Sequence, residues 1–172
     1  VGPRENIPAA APQGWGFWSF AQPVPGVLSR SGQPLLSHFQ WLKEKGWKGV
    51  VNLRVDGERD EVGDDLKIPG FKELNFRYLH LPITDGLPPS EEQAEEFLRF
   101  VTNPANLPVH IHCRGGIGRA GTMVALYRYA VQGWPMDDAI AESRAFKGGV
   151  SELQEKWLRT WAEKHPPAHF RR

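Results

Sequence analysis

A single cysteine, Cys113, is followed six positions later by Arg119, with Gly115, Gly116 and Gly118 between them. Val109 to His112 reads as a short buried strand, and the residues after Arg119 read as a helix. A thiol at the exit of such a strand, in a turn of inward-facing amides and beside a helix N-terminus, lies in positive potential. Free cysteine titrates near pH ~8.5, and helix ends or adjacent cations bring it to roughly 3.5–7.5, which makes a nucleophile at neutral pH. The glycines let the backbone curl into a ring of N–H groups that suits a phosphate dianion. Arg119 closes the ring, since a guanidinium can hold two phosphoryl oxygens at once and stabilise charge as it grows.

Cleaving a phosphate ester expels an alkoxide or phenoxide, so an acid must protonate the departing oxygen. Asp85, in Thr84-Asp85-Gly86-Leu87-Pro88-Pro89-Ser90, is a carboxyl on a Gly/Pro loop of the kind that can close over a pocket. Its competing reading is a turn-setting residue ahead of a helix. Ser90 is the better N-cap, however, because Gln93 stands at the capping-box position.

The His112-Cys113 pair, five residues and Arg119 resemble the signature of the cysteine-based protein tyrosine and dual-specificity phosphatases. The Gly-Gly-Ile-Gly-Arg filling is similar to that of the kinase-associated and mitotic-exit dual-specificity phosphatases, and the likeness extends over roughly residues 27–165. It implies a phosphomonoester hydrolase of two steps, with Cys113 as nucleophile and Asp85 as acid and then base. Arg114, Gly115, Gly116, Ile117, Gly118 and Arg119 would hold the phosphate or another oxyanion. No metal and no cofactor are implied. The resemblance also implies a buried, hydrogen-bonded His112 that orients the loop. Gln154 matches a glutamine that family members carry near the loop, there either to order the hydrolytic water or to brace the loop.

One position departs from the pattern. The family usually has Ser or Thr after the arginine, where the hydroxyl helps sulfur leave, and this chain has Ala120. Thr122 lies about 200° further round a helix and does not substitute, so the second step is expected to be slow. Short length and loop composition resemble the dual-specificity branch, which implies phosphotyrosine and phosphoserine or phosphothreonine in a protein or peptide as substrate. A phosphoinositide or inositol phosphate phosphatase ranks second: such members tend to place lysines inside the loop, whereas here Arg114 is the only extra cation and Ile117 is apolar. A non-catalytic phosphate-binding module is favoured by Ala120 and disfavoured by the intact Cys113, Arg119 and Asp85. A sulfurtransferase would also use a cysteine in an amide-lined loop, but gives Arg119 and Asp85 no task.

Composition sets the frame. A chain of 172 residues with 40% hydrophobic content holds one domain with a core. With 21 basic against 20 acidic residues and net charge +1, nothing points to nucleic acid or a membrane surface. One cysteine excludes an intramolecular disulfide and leaves no resolving thiol for an oxidised Cys113. No run of 18 apolar residues appears, so no stable membrane insertion is expected. The chain starts at Val1, a removed targeting segment stays open, and cytoplasmic is the default compartment.

The positioning elements follow from pattern. Residues 1–26 read as a Pro/Ala-rich arm carrying Trp15-Gly16-Phe17-Trp18-Ser19-Phe20, either packed on the domain or offered as an aromatic substrate edge. Strands are expected at 27–30, 49–54, 76–83 and 109–112. Helices are expected from Ser37 to about 45, 91–101, 120–132, 136–146 and from a Ser151 cap to about 164. The acidic run 56–72 reads as a solvated loop or short helix, with Arg54 and Arg59 as weaker candidates to meet a phosphopeptide. His110 and His112 share one strand face without a third metal ligand. Residues 166–172 form a basic tail. Strands alternating with helices imply an α/β single domain, 27–165, with a central mostly parallel sheet flanked by helices, as in dual-specificity phosphatases, and the site at the carboxyl end of a strand.

Overall fold

The computed structural model describes residues 17–167. Five strands form one sheet: β1 (Ala21–Val24), β2 (Leu28–Ser31), β3 (Gly49–Asn52), β4 (Arg77–His80) and β5 (Val109–His112), in the spatial order β1-β2-β5-β3-β4. β5 pairs in parallel with both β2 and β3, and β3 pairs in parallel with β4. Only β1 runs antiparallel, folding back on β2 so that Ala21 faces Arg30. Part of the expected arm is therefore an edge strand of the sheet. The period-2 signal that would reveal a strand is too short in Ala-Gln-Pro-Val to read in advance. Residues 1–16 of the expected arm, and 168–172 of the expected tail, lie outside the described residues.

Alternation along the strands splits the core in two. Val51 and Ile111 point to one face, where α2 (Glu91–Val101), α3 (Gly118–Ala130), α4 (Met136–Ala145) and α5 (Glu152–Lys164) supply Phe97, Met123, Ile140 and Leu158. Val50 points to the other, where α1 (Leu36–Glu44) packs Phe39 and Leu42 with Phe17, Phe20, Trp47 and Phe71. α3 is buried on nearly every side, packed against α2, α4 and α5, and so is held firmly where it leaves the Cys113 loop.

Two helix starts are capped as the sequence implies: Ser90 accepts from the Gln93 amide and Ser151 from the Gln154 amide, each with the reciprocal glutamine bond. α1 differs. Its first residue is Leu36, Ser37 lies inside the helix, and the Leu35 N–H donates to His38 Nδ1 at 2.9 Å.

Candidate active site

The carboxyl ends of all four parallel strands converge on the Cys113 loop. β5 delivers Cys113, which is 2% exposed, and the Gly116 amide donates to its Sγ at 3.1 Å. The loop's carbonyls are tied down on the outside: Arg114 O accepts from the Gln33 amide at 3.0 Å, and Gly116 O and Ile117 O accept from Arg30 Nη2 at 2.8 and 3.1 Å. Peptide units are planar and trans, so anchoring those carbonyls outward turns the amides of Gly115, Ile117 and Gly118 the other way. Glycine is required at Gly116, where φ is +76° and an added Cβ would lie 2.4 Å from the Gly32 nitrogen. The end of β2 is thus pressed against the loop, backbone to backbone.

Arg119 is 2% exposed. Glu58 holds it with both oxygens, Oε1 to Nη1 at 2.7 Å and Oε2 to Nη2 at 2.9 Å, and Ile83 O accepts from Nη1 at 2.8 Å. Nε is buried without a hydrogen-bond partner among the described residues and stands 3.7 Å from Asp85 Oδ1. Burial works against the Glu58 charge, yet the bonds from Arg119, the Val55 amide and Arg54 hold its carboxyl down at about 2. Burial likewise opposes the Arg119 charge, but Glu58 and the nearby Cys113 raise its pKa above the ordinary guanidinium value.

Asp85 is 66% exposed, on the loop that follows β4. The start of α5 clamps this loop: Ser151 Oγ donates to Gly86 O at 2.8 Å and Gln154 Nε2 to Leu87 O at 3.1 Å. Gln154 is fully buried, its Oε1 accepts from the Ser151 amide at 2.9 Å, and it abuts Gly118. Both polar ends of its side chain are engaged with backbone. Ala120 is fully buried, and Thr122 Oγ1 donates to Gly118 O at 2.8 Å within its own helix.

His112 is fully buried, with Nε2 at 2.5 Å from Asp65 Oδ2 and Nδ1 at 3.3 Å from Cys113 O. His110 sits between two hydroxyls, Ser29 on Nδ1 and Ser31 on Nε2, each at 2.7 Å. Burial pushes its pKa well below the ordinary imidazole value, so the ring is neutral.

Three further groups escape a reading of the sequence alone. The acidic run is not a solvated loop throughout: Asp65 is completely buried on His112, and Glu58 is 14% exposed on Arg119. Arg54, one of the two weaker candidates for a phosphopeptide contact, is 2% exposed and bonds Glu58, Glu61 and Gln33, whereas Arg59 stays exposed. Gln33 also donates to Asp65 at 3.0 Å, so one chain of hydrogen bonds runs from His112 through Asp65, Gln33, Arg54 and Glu58 to Arg119. Third is Arg30, wholly buried behind the loop with Phe146 4.0 Å beneath its guanidinium. Burial lowers its pKa to about 10, offset in part by Cys113 and Glu142, and it stays cationic at neutral pH. The only signal for all three is positional, since the segment leaving one parallel strand must lie beside the segment leaving its neighbour.

No helix among the described residues is long and apolar enough to cross a membrane. Residues 21–160 match the family described as "DSP-PTPase phosphatase fused to NAD+ Kinase". The chain is 29% identical over 140 residues to "Probable tyrosine-protein phosphatase DG1060" of Dictyostelium discoideum, covering 78% of this chain and 81% of that protein. It is 32% identical over 106 residues to "Probable NAD kinase 2, chloroplastic" of Oryza sativa subsp. japonica, covering 59% of this chain but only 10% of that protein. The crystal structure of Tk-PTP in the active form superimposes with a TM-score of 0.63 at 27% identity, over 81% of this chain and 93% of the other. Since the family match spans most of the described fold and includes the Cys113 loop, the chain belongs to the DSP-PTPase family of cysteine-based phosphatases.

Proposed function

We propose that the protein hydrolyses phosphotyrosine, and phosphoserine or phosphothreonine, in phosphorylated proteins or peptides through a phosphocysteine intermediate. The observation that carries this reading is the pairing of an amide-cradled Cys113 Sγ with a buried Arg119 whose Nε has no hydrogen-bond partner among the described residues and faces Asp85. In the first step the Cys113 thiolate bonds to phosphorus, the ester P–O bond breaks, and the Asp85 carboxyl gives its proton to the departing oxygen. In the second, a water attacks phosphorus, the S–P bond breaks, and the Asp85 carboxylate takes the water's proton. The loop amides and Arg119 carry the phosphoryl charge in both steps. Gln154 braces the Asp85 loop against the cysteine loop, and His112 with Asp65 holds the strand exit.

Charge at the mouth favours a phosphomonoester over a polyphosphorylated ring. Arg114 is occupied by Glu61 and Arg119 by Glu58, and Asp85 adds a further carboxylate, so neither arginine of the loop is spare for a second phosphate. The test is turnover of phosphotyrosine and phosphothreonine peptides, with acid-quenched protein analysed for phosphorus on Cys113. Activity abolished in Cys113→Ser, and a phosphoenzyme trapped in the wild type, are expected. Ester cleavage with no phosphorus ever captured on sulfur overturns the mechanism, and phosphate binding without turnover identifies a non-catalytic module. Asp85→Asn is expected to cost about 10²–10⁴ in rate on a phosphopeptide and far less on nitrophenyl phosphate.

A further inference from the structure

Trp18 is the one aromatic side chain left mostly in water among the described residues, 55% exposed. Its neighbours explain how it is presented. Phe17 and Phe20 are buried on either side of it, Phe17 stacked on His38 at 4.5 Å and Phe20 on His110 at 5.7 Å. Between Trp18 and Phe20, Ser19 takes a left-handed conformation, φ +58°, which is costly for a residue with a side chain, and the rings flanking Trp18 are buried while its own is not. The Trp18 carbonyl accepts from the Gly32 amide at 2.7 Å, and Gly32 also lies against the backbone of the Cys113 loop. The indole thereby reaches Gly115, where an added Cβ would meet ring atom Cζ3 at 3.2 Å. A side chain at 115 would fill the space the ring borders.

From this geometry we infer that Trp18 forms an aromatic wall at the mouth of the phosphate loop and selects aryl phosphates, phosphotyrosine above all, over phosphoserine and phosphothreonine. The inference rests on the phosphatase reading above and narrows it. A phosphotyrosine places a flat ring directly above its phosphoryl group, where an indole face can pack on it. A phosphoserine or phosphothreonine has only an aliphatic carbon at that height, with little area to offer. Two rings in offset or edge contact gain more than their buried area alone supplies.

The test separates binding from turnover. Affinities of phenylphosphonate, ethylphosphonate and inorganic phosphate are measured by calorimetry on the wild type, Trp18→Ala and Trp18→Phe. Expected is a phenyl-over-ethyl preference that falls about three- to tenfold in Trp18→Ala, the range that aromatic pairing supplies, and returns in Trp18→Phe, with phosphate affinity unchanged throughout. A phenyl-over-ethyl ratio that Trp18→Ala leaves untouched overturns the inference. So does an equal loss for all three ligands, which would make Trp18 a prop for the loop. Peptide turnover is the second arm: a fall in the phosphotyrosine-to-phosphothreonine ratio of kcat/KM in Trp18→Ala supports the inference. A wild type that keeps the phenyl preference yet cleaves neither peptide would refute the protein phosphatase reading while leaving the Trp18 wall standing.

Discussion

Glu58 grips Arg119 with both carboxylate oxygens, at 2.7 and 2.9 Å, from a turn 61 residues earlier in the chain. The pair fixes the guanidinium plane and leaves Nε without a hydrogen-bond partner among the described residues, 3.7 Å from Asp85 Oδ1. Because Glu58 is ionised down to about pH 2 in the folded chain against 4.5 ordinarily, its contribution is fully present above about 4.5 and disappears as pH falls through 2. Glu58→Gln is therefore expected to lower stability by on the order of 2 kcal/mol at neutral pH, after discounting for the part of the carboxylate that water reaches. Urea unfolding of both proteins between pH 2 and 7 checks this: the gap should close as the acid limit is approached. Turnover should fall as well, since Gln supplies one acceptor where the fork needs two.

Arg30 holds the loop from behind. Its Nη2 fixes the Gly116 and Ile117 carbonyls, and burial lowers its pKa to about 10 while Cys113 and Glu142 offset part of that. Arg30→Met keeps an apolar stem over Phe146 but removes both the donors and the charge. Alkylation of Cys113 by iodoacetamide at neutral pH is expected to slow about tenfold, the scale of roughly 1.4 kcal/mol for the hydrogen bonds that the loop carbonyls lose from a charged donor. Phosphate affinity should drop in parallel. Arg30→Lys should restore only part, because an ammonium can donate to both carbonyls but stacks poorly on the Phe146 ring. Alkylation rates equal to wild type in Arg30→Met would show that the loop orients itself without help.

Asp65 and His112 form a pair with no exposure to water, 47 residues apart in sequence. Removing one member of such a pair strands the other. Asp65→Ala is expected to cost about 3 kcal/mol and, by freeing the His112 ring, to lower kcat more than KM. Stability is read by urea unfolding and the kinetic split on nitrophenyl phosphate. Asp65→Asn, which keeps one acceptor oxygen for Gln33 or His112 and sets its NH2 against the other, should recover only part of both. If kcat is untouched while stability falls, His112 does not set the geometry of the strand exit.

These residues also mark where a sequence stops being readable. Ser90 with Gln93, and Ser151 with Gln154, are legible because a capping box is local, three residues from donor to acceptor. The Cys113 loop is legible for the same reason: sulfur, glycines and guanidinium fall within seven positions. Glu58, Asp65 and Arg30 are not, because each reaches the site across a parallel strand pair, at separations of 61, 47 and 86 residues. Within its own neighbourhood an acidic run looks solvated. Its burial is decided by β3 lying next to β5, a tertiary fact with no local trace. β1 is hidden for a related reason, since four residues containing a proline and a glutamine acquire strand character only from β2 beside them.

Ala120 bears on the second chemical step. It is fully buried directly after Arg119, in the first turn of α3, and the nearest alternative hydroxyl in this turn, Thr122, is committed to Gly118 O at 2.8 Å. No hydroxyl is thus available from this turn to stabilise sulfur as the S–P bond breaks. In the mechanism proposed above, formation of the phosphocysteine does not call on such a hydroxyl whereas its hydrolysis does, so the intermediate is expected to accumulate. Rapid-quench kinetics are expected to show a burst of released alcohol approaching one equivalent per enzyme, followed by slow turnover. Ala120→Ser adds one oxygen at a site with no water contact. It should raise the steady-state rate about tenfold, equivalent to about 1.4 kcal/mol off the second barrier, and shrink the burst. The first-step rate constant should stay where it is, because Cys113, Asp85 and Arg119 are unchanged. A wild type without a burst would mean that hydrolysis of the phosphocysteine is not the slow step and that the loop amides alone suffice to let sulfur leave.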